Sequence, residues 1–103
     1  MKPFELYLTY IPWGGGGKTR PVLLLSYSGD RAWIYPITTQ YITKSEKIRA
    51  NYFYVCDWVQ AGLHQPSYID TQTRISIKAS DISKPIGQLS HADKMRLMEF
   101  LEN

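Results

Sequence analysis

The sequence is poor in the residues that build disulfide scaffolds and metal centres. It contains one cysteine, Cys56, and two histidines, His64 and His91, among 103 residues. A single cysteine cannot form an internal disulfide, and small secreted domains usually depend on such bridges, so a reducing cytosol is expected. No two of the three residues have the spacing of paired zinc ligands, and we expect Cys56 to be buried and both histidines to lie at the surface.

Long apolar runs are also missing. The longest, residues 22–25, is far too short to cross a bilayer, and the first five residues, Met-Lys-Pro-Phe-Glu, lack the apolar core of a signal peptide. The sequence therefore predicts a soluble protein that is not exported and that works in the cytoplasm.

A strong excess of one charge is absent as well. Twelve Lys and Arg against nine Asp and Glu give a net charge of +3, a weak bias that permits a nucleic-acid partner without indicating one. The content of 44% hydrophobic and 20% charged residues excludes a disordered chain. A chain this short has apolar surface for one core, so residues 1–103 are expected to form a single domain.

What the sequence does contain is a series of short β patterns. Five segments show the alternation or the branched, aromatic and leucine-rich composition of strands, and they are residues 4–10, 22–25, 32–37, 51–55 and 74–78. The run at residues 22–25 is continuously apolar, as in a strand that is buried on both faces. These strands predict a mostly β, compact, barrel-like fold.

The connections carry turn and capping signals. Residues 14–17 are four consecutive glycines, whose conformational freedom predicts a mobile loop. Residues 57–62 match a single helical turn that Asp begins and Gly ends. Ser90 and Asp93 match the S-x-x-D start of a C-terminal helix. The apolar residues that lie three apart on one face of that helix are Met95, Met98 and Leu101.

Two familiar catalytic motifs do not fit. Gly17-Lys18-Thr19 is not a phosphate-binding loop, because the chain has Pro12 where that motif needs glycine, and a strand instead of a helix follows. Neither histidine lies near a nucleophile elbow, which argues against a Ser/His/Asp hydrolase. Nucleotide hydrolysis and metal catalysis are therefore not predicted.

Polar side chains collect beside the predicted strand ends, where a shared cleft would gather them. They are Lys18, Thr19 and Arg20 before the second strand, Thr38, Thr39 and Gln40 after the third, and residues 70–74 before the fifth. An arginine fork binds two phosphate oxygens and offsets charge in a pentacoordinate transition state, and RNA brings its own 2′-hydroxyl nucleophile. On spacing alone, structural roles are the favoured interpretation: Arg20 in an ion pair, the threonines as β formers and Asp70 as a turn cap.

Four segments carry a resemblance to a known family. KTRPVLLLS at residues 18–26 resembles the G-x-x-R-P-x-x-x-x-S segment of the MazF/PemK toxins, and PITTQ at residues 36–40 follows at the matching distance. DTQTRI at residues 70–75 is similar to the Q-x-R/K-x-I strand of that family. GQLS at residues 87–90, with Asp93, is similar to the start of its last helix. The resemblance covers nearly the whole chain.

This resemblance implies an SH3-like barrel of the MazF/PemK/CcdB type with a C-terminal helix. It also implies the toxin of a type II toxin–antitoxin module, a sequence-preferring endoribonuclease that cleaves single-stranded mRNA. The expected products have 2′,3′-cyclic phosphate and 5′-hydroxyl ends, and no metal or other cofactor is expected. The expected partners are RNA, a second copy of the chain in a homodimer, and a cognate antitoxin that neutralises the enzyme.

Matched position by position, the resemblance implies that Arg20 stabilises the phosphate, that Thr38 lies at the scissile bond, and that Gln72 and Arg74 line the RNA groove. Asp70 is the nearest carboxylate for a general base. The other candidates for RNA binding are Lys18, Thr39, Gln40 and Tyr68, and the candidates for stacking on unpaired bases are Tyr7, Tyr10, Trp13 and Tyr41.

The sequence departs from the family at two places, which leaves alternatives open. The loop that contributes a serine or histidine in many relatives is the glycine run at residues 14–17, and Tyr68 stands where some relatives have an arginine. The chain is then either an active nuclease or a member of the fold that has lost catalysis and binds RNA, DNA or protein. A third alternative, a toxin that acts on gyrase, is disfavoured because residues 99–103 do not resemble the helix end of such toxins.

Overall fold

The structure, a computed structural model, describes residues 1–102 apart from the side chain of Trp13. Its strands are β1 (Glu5–Trp13), β2 (Gly16–Ser28), β3 (Arg31–Thr38), β4 (Tyr52–Tyr54), β5 (Tyr68–Asp70), β6 (Ile75–Lys78) and β7 (Ile82–Gln88). Its helices are α1 (Glu46–Arg49) and α2 (His91–Glu102), and a 3₁₀ turn spans Ala79–Asp81. The predicted mostly β class with a C-terminal helix is confirmed.

Strand β3 is the element that joins the sheet. The strand order is β4-β5-β3-β2-β1-β7, and every pairing is antiparallel. One edge of β3 pairs with β2, and the other edge is shared, since Ala32 pairs with Ile77 of β6 and Thr38 pairs with Tyr68 of β5. The carboxyl end of β3 therefore lies between the start of β2 and the short strands β4 and β5.

Strand β2 is buried on both faces at residues 22–24, as its continuous apolar run predicted. Val22 and Leu24 pack with Ile34 in a smaller core, whereas Leu23 points the other way into a larger core that contains Leu97 of α2. All three β2 residues have 0% exposure. Because successive side chains of a strand alternate between faces, one strand supplies both cores.

The glycine run forms a hairpin and not a loop. Gly16 and Gly17 already belong to β2, where they pair with residues 13 and 12 of β1. Only residues 14–15 make the turn, and Gly15 has a φ of +89°, which suits glycine. The sequence prediction failed here because strand pairing supplies the order that a glycine run lacks on its own.

Several other local predictions need correction. Strands β5 and β7 were not predicted: β5 has three residues, and β7 contains Pro85, which a strand at the edge of the sheet tolerates. Residues 57–62 do contain the predicted single turn, because the Ala61 amide donates to the Asp57 carbonyl at 3.1 Å and Gly62 leaves the turn with a φ of +88°. Cys56 is exposed and not buried, because Val55 next to it takes the inward position. His64 and His91 are exposed as expected.

Helix α2 is fastened at its first turn by a buried carboxylate. The Asp93 amide donates to Ser90 Oγ at 3.1 Å, so the predicted capping pair is present. The Asp93 carboxylate has 0% exposure and accepts hydrogen bonds from the backbone amides of Cys56 and Asp57, at 3.3 and 2.8 Å, and from the Arg96 guanidinium. These bonds satisfy the buried charge and tie the helix to the chain that follows β4.

The apolar stripe of α2 faces away from the core. Leu97 is fully buried, but Met95, Met98 and Leu101 are 51%, 45% and 42% exposed. The side of the helix that packs on the sheet is thus formed by Leu97 and Phe100 together with the capping carboxylate. Within residues 1–102, neither helix has the length and apolar character needed to span a bilayer.

We expect the Gly62→Ala variant to be strongly destabilised. Gly62 has a φ of +88°, and an added Cβ would overlap the carbonyl oxygen of Ile86 in β7. The left-handed backbone alone costs an alanine about 1–2 kcal/mol, and the overlap adds to this cost. Urea unfolding measures the loss. The matched control is Gly14→Ala, where a Cβ meets nothing within 4 Å, and equal stability of the two variants would contradict the prediction.

Candidate functional site

A polar cavity lies where β2 begins and β3 ends. It has a volume of about 220 Å³, and its lining includes residues from the start of β2, the end of β3 and the segment before β5. These are Lys18, Thr19, Arg20, Pro21, Ile37, Thr38, Thr39, Gln40, Gln65 and Ser67. Antiparallel pairing of β2 with β3 brings these ends together, since Val22 is the partner of Pro36.

A second cavity of about 340 Å³ shares the residues Arg20, Thr38 and Gln40 with the first. Its other polar lining residues are Lys44, Tyr52, Asp70 and Thr73. The two cavities therefore adjoin along a wall made of the three shared side chains, and we call them together the cleft. Asp70 stands on one side of this wall and Lys18 on the other.

The polar groups of the wall are available to a ligand. Thr38 Oγ1 accepts a hydrogen bond from the Gln40 amide at 3.0 Å, which directs its own hydroxyl hydrogen elsewhere. Arg20 is half-buried, and no ion pair is found for it or for Lys18 among residues 1–102. An arginine and a hydroxyl donor without carboxylate partners are suited to bind an anion.

Asp70 and Tyr52 form the acidic side of the cleft. They are register partners on β5 and β4, and Asp70 Oδ1 accepts from the amides of Gln72 and Thr73, at 3.1 and 3.3 Å. This is the turn-capping role that the sequence allowed, and the same residue lines the cleft. Burial raises the pKa of the Tyr52 hydroxyl, the Asp70 carboxylate raises it further, and the Arg20 guanidinium opposes both. Arg20 and Asp70 thus both lie within electrostatic reach of Tyr52.

The structure brings six of the nine candidate residues to the cleft and leaves three outside it. Those in the cleft are Lys18, Arg20, Thr38, Thr39, Gln40 and Asp70. Gln72 accepts a hydrogen bond from the Asn51 side chain at 3.1 Å, and the Arg74 guanidinium lies 4.8 Å from the centre of the Trp33 ring. Tyr68 is opposite Thr38 on the next strand and stacks on Tyr41.

The four candidates for base stacking lie in different environments. Tyr7 is unavailable, because it is 3% exposed and donates a 2.5 Å hydrogen bond to Glu5, and burial with this bond raises its pKa to about 12. Tyr10 is 54% exposed, and Tyr41 is half-buried against Tyr68. The side chain of Trp13 lies outside the described part of the chain.

Four polar cleft residues were not predicted from the sequence, namely Lys44, Tyr52, Gln65 and Ser67. Thr73 also lines the cleft, and it belongs to the polar segment at residues 70–74 that the sequence placed there. Tyr52 sits in the aromatic segment that was predicted only as a strand, and its role follows from the pairing of β4 with β5. Ser67 is held beside the cleft by the Val55 amide, which donates to the Ser67 carbonyl at 3.0 Å, and the Ser67 hydroxyl donates to the Gln65 carbonyl at 2.8 Å.

Comparison with solved structures gives matches across the whole chain. The Mycobacterium tuberculosis toxin MazF-mt6 superposes with a TM-score of 0.74 and 26% identity, over 96% of this chain and 93% of that one. An Mtb toxin matches with a TM-score of 0.67 and 27% identity, over 93% and 97% of the two chains. An endoribonuclease in complex with its cognate antitoxin, from a mycobacterial species, has a TM-score of 0.69 over 98% and 88%, but only 11% identity.

The two matches above 25% identity confirm the resemblance to MazF toxins that the sequence motifs indicated. The endoribonuclease match, at 11% identity, shows a common fold and no more. No protein-family profile matches the sequence, and no curated protein matches it significantly. Here the three-dimensional fold connects this chain to its relatives where whole-sequence comparison does not.

The electrostatic coupling of the cleft is measurable at Tyr52. We expect Asp70→Asn to lower the pKa of Tyr52, because a neutral amide no longer repels the tyrosinate, and Arg20→Gln to raise it, because a favourable cation is lost. An NMR titration of the ring, assigned with Tyr52→Phe, reports both shifts. Asp30→Asn and Arg31→Gln, in the β2–β3 hairpin outside the cleft, are matched controls. An unchanged pKa in both cleft variants would contradict the geometry.

Proposed function

We propose, from the premise that this chain has the fold of the MazF toxins, that it is the toxin of a type II toxin–antitoxin module and an endoribonuclease. Its substrate is single-stranded mRNA in the cytoplasm, which it cleaves with a sequence preference and without a metal ion or other cofactor. The matches to mycobacterial toxins and to an endoribonuclease support the class of activity.

The arrangement of the cleft is the observation that carries the proposal. Arg20 and Thr38 lie between a carboxylate, Asp70, and an ammonium group, Lys18. In-line displacement at phosphorus needs a proton acceptor on one side of the phosphate, a proton donor on the other, and charge stabilisation between them. The cleft offers these three kinds of group in that order.

The reaction then proceeds by attack of the RNA 2′-hydroxyl on the adjacent phosphorus. Asp70 takes the 2′-hydroxyl proton as the bond from O2′ to phosphorus forms. Arg20 holds two non-bridging oxygens, and the Thr38 hydroxyl donates to one of them while negative charge increases. The bond from phosphorus to O5′ breaks, and Lys18 gives the leaving oxygen its proton. The products are a 2′,3′-cyclic phosphate and a 5′-hydroxyl.

The remaining candidate residues bind the strand on either side of the scissile bond. Thr39 and Gln40 follow Thr38 along the cleft and present hydroxyl and carboxamide groups to sugars and bases. Gln72, Arg74 and Tyr68 lie outside the cleft, and we place them along the continuation of the RNA groove. Each of these side chains is positioned by one contact: Gln72 by the hydrogen bond from Asn51, Arg74 by the Trp33 ring, and Tyr68 by stacking on Tyr41.

The exposed stripe of α2 supports a homodimer. Met95, Met98 and Leu101 lie on one face of the helix, and each is more than 40% exposed. An isologous contact places the same face of two copies together, so one apolar stripe contributes to both sides of it. Burying these side chains against a second copy removes apolar surface from water, which favours association.

A cognate antitoxin is the second protein partner that we propose. One structural relative is an endoribonuclease in complex with its cognate antitoxin, and it shares this fold. Lys18 and Arg20, for which residues 1–102 supply no ion-pair partner, offer an acidic or extended antitoxin segment the same contacts that they offer RNA. Occupation of the cleft by such a segment would block the substrate directly.

The nuclease is tested by incubating the protein with a long, weakly structured RNA in EDTA. We expect discrete cuts with cyclic-phosphate ends, and a rate that falls roughly 10²- to 10³-fold in Arg20→Ala, which removes a donor to the developing charge. Arg31→Ala is the matched control, because Arg31 is exposed at the hairpin and bonded to Ser76. Circular dichroism verifies that each variant is folded.

Two results would contradict this proposal. Cleavage that EDTA abolishes and a divalent cation restores would overturn the metal-independent mechanism. Absence of cleavage by the folded wild-type protein, over RNAs of diverse sequence, would favour the alternative of a catalytically inactive member that binds RNA, DNA or protein.

The dimer is tested by placing a charge in the stripe. We expect Met98→Glu to shift the mass measured by light scattering from dimer to monomer, because two carboxylates would be desolvated in an isologous contact. Ile42→Glu is the control, since Ile42 is 87% exposed but lies between β3 and α1 and not on α2. A wild-type protein that is monomeric at high concentration, or a Met98→Glu variant that remains dimeric, would refute the assigned interface.

A further inference from the structure

Four tyrosines form a continuous aromatic surface beside the cleft, and we call it the tyrosine platform. Its members are Tyr41, Tyr52, Tyr54 and Tyr68. Tyr52 and Tyr54 are two residues apart on β4 and so share one face of the sheet. Phe53, between them, points to the other face and is 5% exposed in the larger core.

The rings are in contact with one another. Tyr41 lies parallel to Tyr68, with ring centres 4.2 Å apart and an angle of 11° between the planes. The Tyr54 ring centre lies 5.3 Å from that of Tyr68, at an angle of 52°. The guanidinium of Arg49, on α1, lies 5.4 Å from the centre of the Tyr41 ring. The four rings thus form one packed surface with a cation at its edge.

The core does not account for this surface. Phe53, Val55 and Ile69 bury the inner face of β4 and β5 and its continuation. The outer face carries the tyrosines, of which Tyr54 is 39% exposed and the other three are half-buried. Three of the rings lie on the solvent side of two three-residue strands, and the fourth, Tyr41, stacks on Tyr68 from the segment after β3. A partly exposed aromatic surface beside a polar cleft is typical of an interaction site.

The platform is directly continuous with the cleft. Tyr68 is the register partner of Thr38, and Tyr52 is the register partner of Asp70. Neighbouring strands lie about 4.8 Å apart, so the first ring stands one strand away from the groups assigned to the scissile phosphate. A strand of RNA that has a phosphate at Arg20 and Thr38 can reach the platform with the adjoining nucleotide.

We propose that the tyrosine platform binds a base next to the scissile phosphate by stacking, while Arg49 contacts an RNA phosphate; this inference rests on the proposed function. Aromatic side chains with nearby cations are the usual means of holding unpaired bases. Arg49 and Lys44 flank the platform, and within residues 1–102 neither has an ion-pair partner. These charges favour a polyanion over an apolar peptide as the occupant.

The test measures binding apart from cleavage. The probe is a fluorescent, single-stranded oligoribonucleotide that is fully 2′-O-methylated, so that no 2′-hydroxyl can attack. We expect Tyr54→Leu to weaken its Kd roughly 5- to 150-fold, the range for loss of one stacked base, and Tyr54→Phe to retain wild-type affinity. Tyr27→Leu, at a tyrosine that is 48% exposed outside the platform, is the matched control.

A second probe isolates the role of the bases. On an abasic strand of equal length and charge, Tyr54→Leu and the wild-type protein should bind equally, since no base is present to stack. Tyr41→Leu provides an independent position outside the strands if Tyr54→Leu does not fold.

The outcomes separate this inference from the proposed function. Stacking-dependent binding by a wild-type protein that leaves unmodified RNA uncut would support the platform and overturn the nuclease. Cleavage of unmodified RNA, with unchanged oligonucleotide affinity in the Tyr54→Leu and Tyr41→Leu variants, would overturn the platform and leave the nuclease standing. If the Tyr54→Leu variant lost as much affinity for the abasic strand as for the strand with bases, the platform would also be overturned, because the tyrosine would then act without a base.

Discussion

The burial of β2 on both faces is the constraint on which the site depends. A slip of one residue would move Leu23 out of the larger core and exchange it with Val22 or Leu24, so the register is fixed from two sides. With Val22 held opposite Pro36, two further residues along each antiparallel strand lead to Arg20 and Thr38. Packing in the interior thereby places Arg20 and Thr38 side by side in the cleft.

The C-terminal helix contributes to the site indirectly. Asp93 is fully buried and binds the amides of Cys56 and Asp57, which anchors the chain just after Val55. Val55 in turn binds the Ser67 carbonyl at 3.0 Å, and Ser67 lines the cleft. One carboxylate thus secures both the helix and the side of the cleft that contains Ser67, while the apolar stripe on the outer side of the helix stays exposed.

The small strands β4 and β5 separate two roles by face. Their inner side supplies Phe53 and Ile69 to the larger core, and their outer side supplies Asp70 to the cleft and three of the platform tyrosines. Because alternation along a strand is strict, substitutions on the outer face change ligand contacts with little effect on the core. Such a division lets the residues of the cleft vary while the fold is kept.

The sequence by itself determined the local features of this protein. Alternation and apolar runs located five strands, Ser90 and Asp93 marked the start of the helix, and the motif around Arg20 indicated the family. These features depend on neighbours in the chain, where propensity and period act directly. Tertiary structure alone decided that residues 14–17 form a hairpin, that Tyr52 stands beside Asp70, and that Met98 faces solvent. Each of these depends on which strand or surface comes to lie next to a segment, and the period of a sequence specifies a face but not the neighbour that covers it.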